Sequence, residues 1–431
     1  MSTSDAPGPI LYRFGMPQEA STLETLKDYY DGVVVSGHIA AYVRASVTSF
    51  LEFAGKPFFV DPVTYLLAGD DACIKRDDGK LKKSIEKLSG EYGQIVRRTI
   101  QEEKRTLKPA DFIRDGKWNQ EFIGEFVSNV LRFQRELMAT KTQKSIQDLL
   151  EMAGDRDVRG DAPKEPSFLV APYFCVDSLD SIWYRISLKL AKEARVEAGE
   201  TPVFGVVCID GDILGSKDGI HRIVSDWEDM DGILVWISRF KDSHPRRGGS
   251  LDGYVRLLRG LLESGRPVYV LHGGFPSFLM LKNGLKGVCS GVCYSEYKNA
   301  VATRAGGPAG TRYYVPFAKV KIQLQDARRM YASHASSLCS CELCNSVRKE
   351  MTGADRGATV SAYFRKMEIG GNLREHYAVS RFSEVREIKN SSLAETLGRW
   401  RSEWKKAEPL GPENYDLDSS IVDRWSKALG L

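Results

Sequence analysis

The stretch SFLVAPYFCV (167–176) is followed by four more of the same kind: PVFGVVCID (202–210), GILVWISRF (232–240), PVYVLHGG (267–274) and GVCSGVC (287–293). Each is a short run of β-branched, aromatic and small residues without polar alternation, the pattern of a strand buried on both faces. Segments with helical spacing separate them, at 178–198, 217–229, 250–264 and 275–284. Strands and helices in regular alternation predict a parallel sheet built from βαβ units. Two earlier runs share the character, GVVVSGH (32–38) and PFFVDP (57–62), and a last one, RYYVPFAKVKI (312–322), follows the loop AGGPAG. Eight strands is the number that closes a (β/α)8 barrel. The expected fold is α/β, a TIM-type barrel over residues 1–322, with an open doubly wound sheet as the alternative.

Residues 78–155 break this rhythm with long, charged stretches of helical spacing, SIEKLSGEYGQIVRRTI and NQEFIGEFVSNVLRFQREL, and predict a helical insertion in the barrel. Its cluster of Lys80, Lys82, Lys83, Lys87, Arg97, Arg98, Lys104 and Arg105 is interleaved with Glu86, Glu91, Glu102 and Glu103, so a solvated helical face outweighs a phosphate-binding one. Beyond the eighth run, helical segments at 323–335, 342–350, 358–367 and 373–388 predict a helical subdomain over 323–390. A tail over 391–431 carries Trp400, Trp404 and Trp425.

The 61 basic side chains face 57 acidic ones, so a chain-wide cationic footprint is excluded. The N-terminus MSTSDAPGPI has neither a basic region nor an apolar run, and no stretch approaches the ~18–20 apolar residues that cross a bilayer. Eight cysteines in such a chain point to thiols or metal in a reducing compartment. A cytoplasmic protein without membrane association is expected. A homo- or hetero-oligomer is compatible with the sequence.

SSLCSCELCNSV places three thiols at Cys339, Cys341 and Cys344, spaced so that their sulfurs converge on a tetrahedral ion from a turn leading into a helix. Zn2+ is the expected metal, in a structural role. A fourth ligand is needed, and His376 in LREHYAVSRF is expected to supply it from a later helix, with His334 as the competitor.

A Cys-x-Cys-x-x-Cys with a His on a later helix, set behind a (β/α)8 barrel, resembles the zinc subdomain of the tRNA-guanine transglycosylase family, which includes relatives acting on DNA. VVVSGHIAAYVR resembles that family's first barrel strand. FFVDPVTYLL resembles the strand ending in Asp-Ser-Gly-Gly-Tyr/Phe-Gln, which implies that Asp61 takes the place of a catalytic or base-contacting aspartate. PVFGVVCIDG resembles the Gly-Ile-Val-Gln-Gly strand, and GGFPSFLMLKNGLKGVCSGVCYSEYKNA the segment that carries the nucleophilic aspartate and a basic loop. The chain departs from the pattern at several points. Cys289 or Ser290 stands where the nucleophile belongs, Cys208 replaces the glutamine, and Pro62, Val63 and Thr64 replace Ser-Gly-Gly. The resemblance implies a pentosyltransferase-like enzyme that exchanges or releases a guanine-type base in tRNA or DNA. The lost nucleophile implies the alternative, a catalytically silent nucleic-acid-binding or partner subunit.

In a barrel, chemistry sits at the C-terminal strand ends. Base exchange at a sugar carbon needs one carboxylate below the ring and a second acid or base for the departing base. Asp61 with Asp210 or Glu296 is the expected pair. His272 stands as a candidate base, and Cys289 or Ser290 as nucleophile. His38, Tyr294, Lys298, Arg304 and Arg312 combine cations with an aromatic ring near the mouth and are the expected substrate contacts.

Overall fold

A computed structural model describes residues 6–15, 19–138, 165–242, 250–292, 296–300, 311–351, 359–369 and 371–431. Eight parallel strands form one sheet: β1 (Ile10–Phe14), β2 (Gly32–Ser36), β3 (Phe58–Asp61), β4 (Leu169–Val170), β5 (Val203–Asp210), β6 (Gly232–Ser238), β7 (Val268–Val270) and β8 (Gly287–Ser290). Their spatial order is β3-β2-β1-β8-β7-β6-β5-β4, which wraps the sheet round until β3 and β4 face each other. There the backbone N–H of Ser167 donates to the carbonyl of Phe58 at 2.8 Å, and the rings of Phe59 and Phe168 stack with centroids 4.6 Å apart. The fold is a (β/α)8 barrel. As the unbroken apolar runs demand, every residue of β2, β3, β5, β6, β7 and β8 is buried.

One of the expected strands is replaced. RYYVPFAKVKI is no barrel strand: it folds into an antiparallel hairpin of β9 (Arg312–Val315) and β10 (Val320–Gln323), outside the sheet. In Val320–Gln323 only Val320 is buried, unlike a barrel strand. Its place in the barrel is taken by ILYRF at the N-terminus, which pairs with β2 on one side and β8 on the other.

The insertion falls between β3 and β4 and has a structural task. Asn119 caps its helix Gln120–Arg135, accepting from the N–H of Phe122 at 3.3 Å. Near the end of that helix, the buried amide of Gln134 accepts from Val170 N at 2.9 Å and donates to Val170 O at 2.8 Å. Two residues of β4 cannot pair along their whole length with β3, and a side-chain amide serves in the missing neighbour's place. Of the insertion's basic cluster, Arg105 is held by Asp111 and Glu103, and Arg98 lies against Glu103. Those charges are engaged within the insertion itself.

Behind β8 come the hairpin and the helices Leu324–Tyr331, Glu342–Lys349, Thr359–Met367 and Asn372–Asn390. The helices Leu393–Ala407 and Ser420–Leu429 follow, and Trp400, Trp404 and Trp425 are buried in the protein core as expected of indoles on a basic helix. Among the described residues no helix is long and apolar enough to cross a membrane.

Candidate functional site

Two constellations stand out, one at the C-terminal end of the barrel and one in the helical subdomain. The second is simpler. Cys339, Cys341, Cys344 and His376 bring their sulfurs and one ring nitrogen to within 4.8 Å of one another. His376 Nδ1 lies 3.3 Å from the sulfur of Cys344 and 3.5 Å from that of Cys341. Its other nitrogen is 2.9 Å from the carbonyl of Tyr314, a contact that fixes the ring with Nδ1 toward the thiols. The ring of Tyr313 stacks on it, and the hydroxyl of Tyr363 donates to Cys344 at 3.0 Å. His334 does not join the group. Burial opposes a charge on His376, but the sulfurs of Cys339 and Cys341 favour it and push its pKa up to about 10. The cluster can hold a metal ion, and four protein donors leave no coordination site for a reactant.

At the barrel end, Asp61 terminates β3 and is 1% exposed. One carboxylate oxygen accepts from Arg13 at 2.7 Å. The other accepts from the hydroxyl of Tyr173 at 2.8 Å and from Val63 N at 3.1 Å. Arg13 comes from β1, the strand that the sequence patterning did not find. Burial works against its charge, and Asp61 more than restores it, so the guanidinium is held above its ordinary value.

Lys298 overlooks this pair. Its ammonium donates to the hydroxyl of Tyr65 at 2.7 Å and lies over the rings of Tyr65 and Trp236, though much of the residue faces solvent. Trp236 Nε1 donates to the Lys298 carbonyl at 2.8 Å, and Ala300 N donates to Ser238, so the loop is stitched to the end of β6. Desolvation of the ammonium against those rings, and then the charge of Arg13, lower the Lys298 pKa to about 8. Burial and Lys298 lower His38 to about 4. His272 packs at a tilt against Trp236, with ring centroids 4.9 Å apart, and burial with Arg13 keeps its pKa well below that of an ordinary histidine. Both imidazoles are therefore neutral at pH 7. Beside this group opens a cleft of about 210 Å³, walled by Tyr65, Phe174 and Trp183, with Asp70 and Lys108 among its lining.

The expected carboxylate partners go elsewhere. Asp210 ends β5 and is held by Arg239, whose Nη2 lies 2.6 Å from it, and it caps the following turn through Asp212 N at 3.0 Å. Glu296 accepts from Arg381 at 2.6 Å and from Tyr377 at 2.8 Å, both on the helix Asn372–Asn390. Asp61, Asp210 and Glu296 thus have three separate arginine partners. Ser290 accepts from Tyr377 at 3.0 Å on the same side as Glu296. Cys289 is fully buried, and burial pushes its thiol up to about 11 despite the neighbouring Arg13, the opposite of an activated nucleophile.

Arg312 opens β9 half-buried. Tyr294 and Arg304 lie outside the described residues. The Gly-Gly after His272 receives the protein's own anion: Asp242 accepts from Gly274 N at 2.8 Å and from the Ser277 hydroxyl at 2.6 Å. A Cβ on Gly274 would stand 2.8 Å from Glu296 Oε2, which explains the glycine. Asp242, Arg13, Tyr65, Tyr173 and Trp236 escaped sequence reasoning. Only the Asp-x-x-x-Tyr spacing of Asp61 and Tyr65 offered any signal.

No protein-family model matches this sequence, and no curated protein matches it. Among solved structures, the chain is similar to the CBM22-1–GH10 modules of endo-1,4-beta-D-xylanase 10B from Clostridium thermocellum, complexed with xylohexaose, at 10% identity and a TM-score of 0.37. The match covers 67% of this chain and 60% of that one. A likeness this distant carries no argument about chemistry.

Proposed function

We propose that the barrel is of the tRNA-guanine transglycosylase type and binds a nucleobase of RNA or DNA at its mouth, as a catalytically silent binding or partner subunit. The observation that carries this reading is the state of Asp61. Both of its oxygens are engaged, by Arg13 on one side and by Tyr173 and Val63 on the other, and it is buried. A carboxylate so saturated is a scaffold for its neighbours and not a group free to attack a sugar carbon. Asp210 and Glu296 are tied to other arginines, and among the described residues of the barrel no activated thiol replaces the missing nucleophile.

The recognition chemistry remains. Arg13 and Lys298 outweigh Asp61, Lys108 offsets Asp70 in the cleft lining, and Tyr65, Phe174 and Trp183 wall a cleft of base size. In the helical subdomain the metal is zinc. Tetrahedral coordination by three sulfurs and a nitrogen sets the ligand atoms about 3.5–3.8 Å apart, given Zn–S of about 2.3 Å and Zn–N of about 2.0 Å. The sulfur–nitrogen contacts at 3.3 and 3.5 Å support this reading, the shorter lying just below that range.

One observation favours turnover instead. Lys298, with its pKa near 8, and the neutral His38 and His272 could move a proton on a departing base beside Asp61.

Binding is tested with fluorescent tRNA, single-stranded DNA and duplex DNA across a salt series. The expected result is affinity for at least one of these that weakens with salt, and that Tyr65→Leu weakens by tenfold or more, since stacking one base contributes about 1–3 kcal/mol. Absence of binding to all three at low salt would refute the proposal.

A further inference from the structure

We propose that Cys175 and Cys208 form a reversible disulfide at the barrel mouth, a thiol pair that peroxide oxidises and cellular thiols reduce. Cys208 lies in β5, and Cys175 in the segment that follows β4. The two segments run parallel, with Val176 opposite Ile209, Val176 N donating to the Cys208 carbonyl at 3.1 Å and Asp210 N donating to the Val176 carbonyl at 2.8 Å. The residues just before that bridge are Cys175 and Cys208. Neighbouring strands lie about 4.7–4.9 Å apart, inside the roughly 4.4–6.8 Å that a disulfide spans between its Cα atoms. The two thiols are close enough that Cys175 acts on the titration of Cys208.

The two thiols divide the labour. Cys175 is partly exposed and lines the cleft beside Tyr65, where a small oxidant arrives. Cys208 is buried, and burial, with Cys175 beside it, raises its pKa well above the ordinary value, so it does not react with solvent oxidants on its own. The thiolate of Cys175 attacks one oxygen of hydrogen peroxide, forming a sulfenic acid and releasing hydroxide. The sulfur of Cys208 then displaces the sulfenic oxygen, giving the disulfide and water, with the Cys208 proton leaving to that oxygen. Two thiols are oxidised and one peroxide is reduced to two waters. A disulfide between adjacent strands departs from relaxed geometry, which places it among the reducible, regulatory kind and not the structural kind.

The test treats the reduced, metal-loaded protein with hydrogen peroxide, blocks remaining thiols, and maps linked peptides by mass spectrometry. The expected result is a Cys175–Cys208 linkage with the loss of two hydrogens, reversed by glutathione. Cys208→Ser should leave Cys175 as sulfenic or sulfinic acid with no linkage. Oxidation of Cys175 without linkage in the wild type would overturn the proposal. So would linkages confined to Cys339, Cys341 and Cys344, or a partner for Cys175 other than Cys208. Because the readout is covalent and needs no nucleic acid, the proposal stands or falls independently of the function given above.

Discussion

Replacing Cys344 by serine is expected to abolish metal binding and to release the helical subdomain from the barrel. Cys344 is fully buried, and its sulfur sits among His376, Cys341 and the Tyr363 hydroxyl. A serine oxygen is a poor ligand for a soft tetrahedral site. Structural zinc in small domains contributes on the order of 10 kcal/mol to folding, so its loss is not absorbed by local repacking. Elemental analysis should read one zinc per chain in the wild type and close to none in Cys344→Ser. Limited proteolysis should then cut within the helices Glu342–Lys349 and Asn372–Asn390, which are protected in the parent. A wild-type protein prepared with zinc under reducing conditions that holds no metal, and is indifferent to chelator, would sink this expectation.

The second large effect lies in the buried charges of the Asn372–Asn390 helix. Arg381 is fully buried, with Glu296 at 2.6 Å and Glu384 at 2.9 Å, and with the rings of Tyr314, Tyr377 and Phe278 around its guanidinium. Glu384 also meets the Tyr314 hydroxyl at 2.8 Å and Lys319 at 3.2 Å. Arg381→Met leaves Glu296 and Glu384 buried with less positive charge than the site was built for. Breaking one partner of such a pair costs about 3–5 kcal/mol. The loss should appear as a lower urea midpoint, and adding Glu296→Gln and Glu384→Gln should recover much of it. If the single variant is as stable as the parent, the network is not fully desolvated.

The same helix joins the two constellations. His376 faces the thiols, while the next residue, Tyr377, and Arg381 a little over one turn on hold Ser290 at the end of the eighth strand and Glu296 beyond it. The cysteine–histidine cluster and the barrel are thereby fixed to one helix.

What the sequence made legible follows from which forces act locally. Seven of the barrel strands were visible because a strand covered on both faces must be apolar throughout, and that pattern is local. ILYRF was missed because its buried Tyr12 and its Arg13 break the apolar run: Arg13 meets Asp61 and Tyr12 packs against Tyr30 and Tyr377, and no neighbour in sequence announces it. RYYVPFAKVKI misled for the converse reason, since its β propensity is real and served a hairpin. The cluster of three cysteines and His376 was legible because three thiols at close spacing have few other uses. The role of Glu296 was not, because its arginine lies 85 positions further along the chain. Asp61 was found, but its saturation by Arg13 and Tyr173, 48 and 112 positions away, is a property of the closed barrel.

The measurement that bears most directly on the central claim is base exchange by the isolated, zinc-loaded chain. Radiolabelled guanine and 7-deazaguanine would be offered with tRNA and with DNA, at concentrations where binding is saturated. The account predicts binding without incorporation or base release above the protein-free control, alone, and in the Asp61→Asn variant alike. Incorporation by the wild type that Asp61→Asn abolishes would contradict it, and would make Asp61 a catalytic carboxylate.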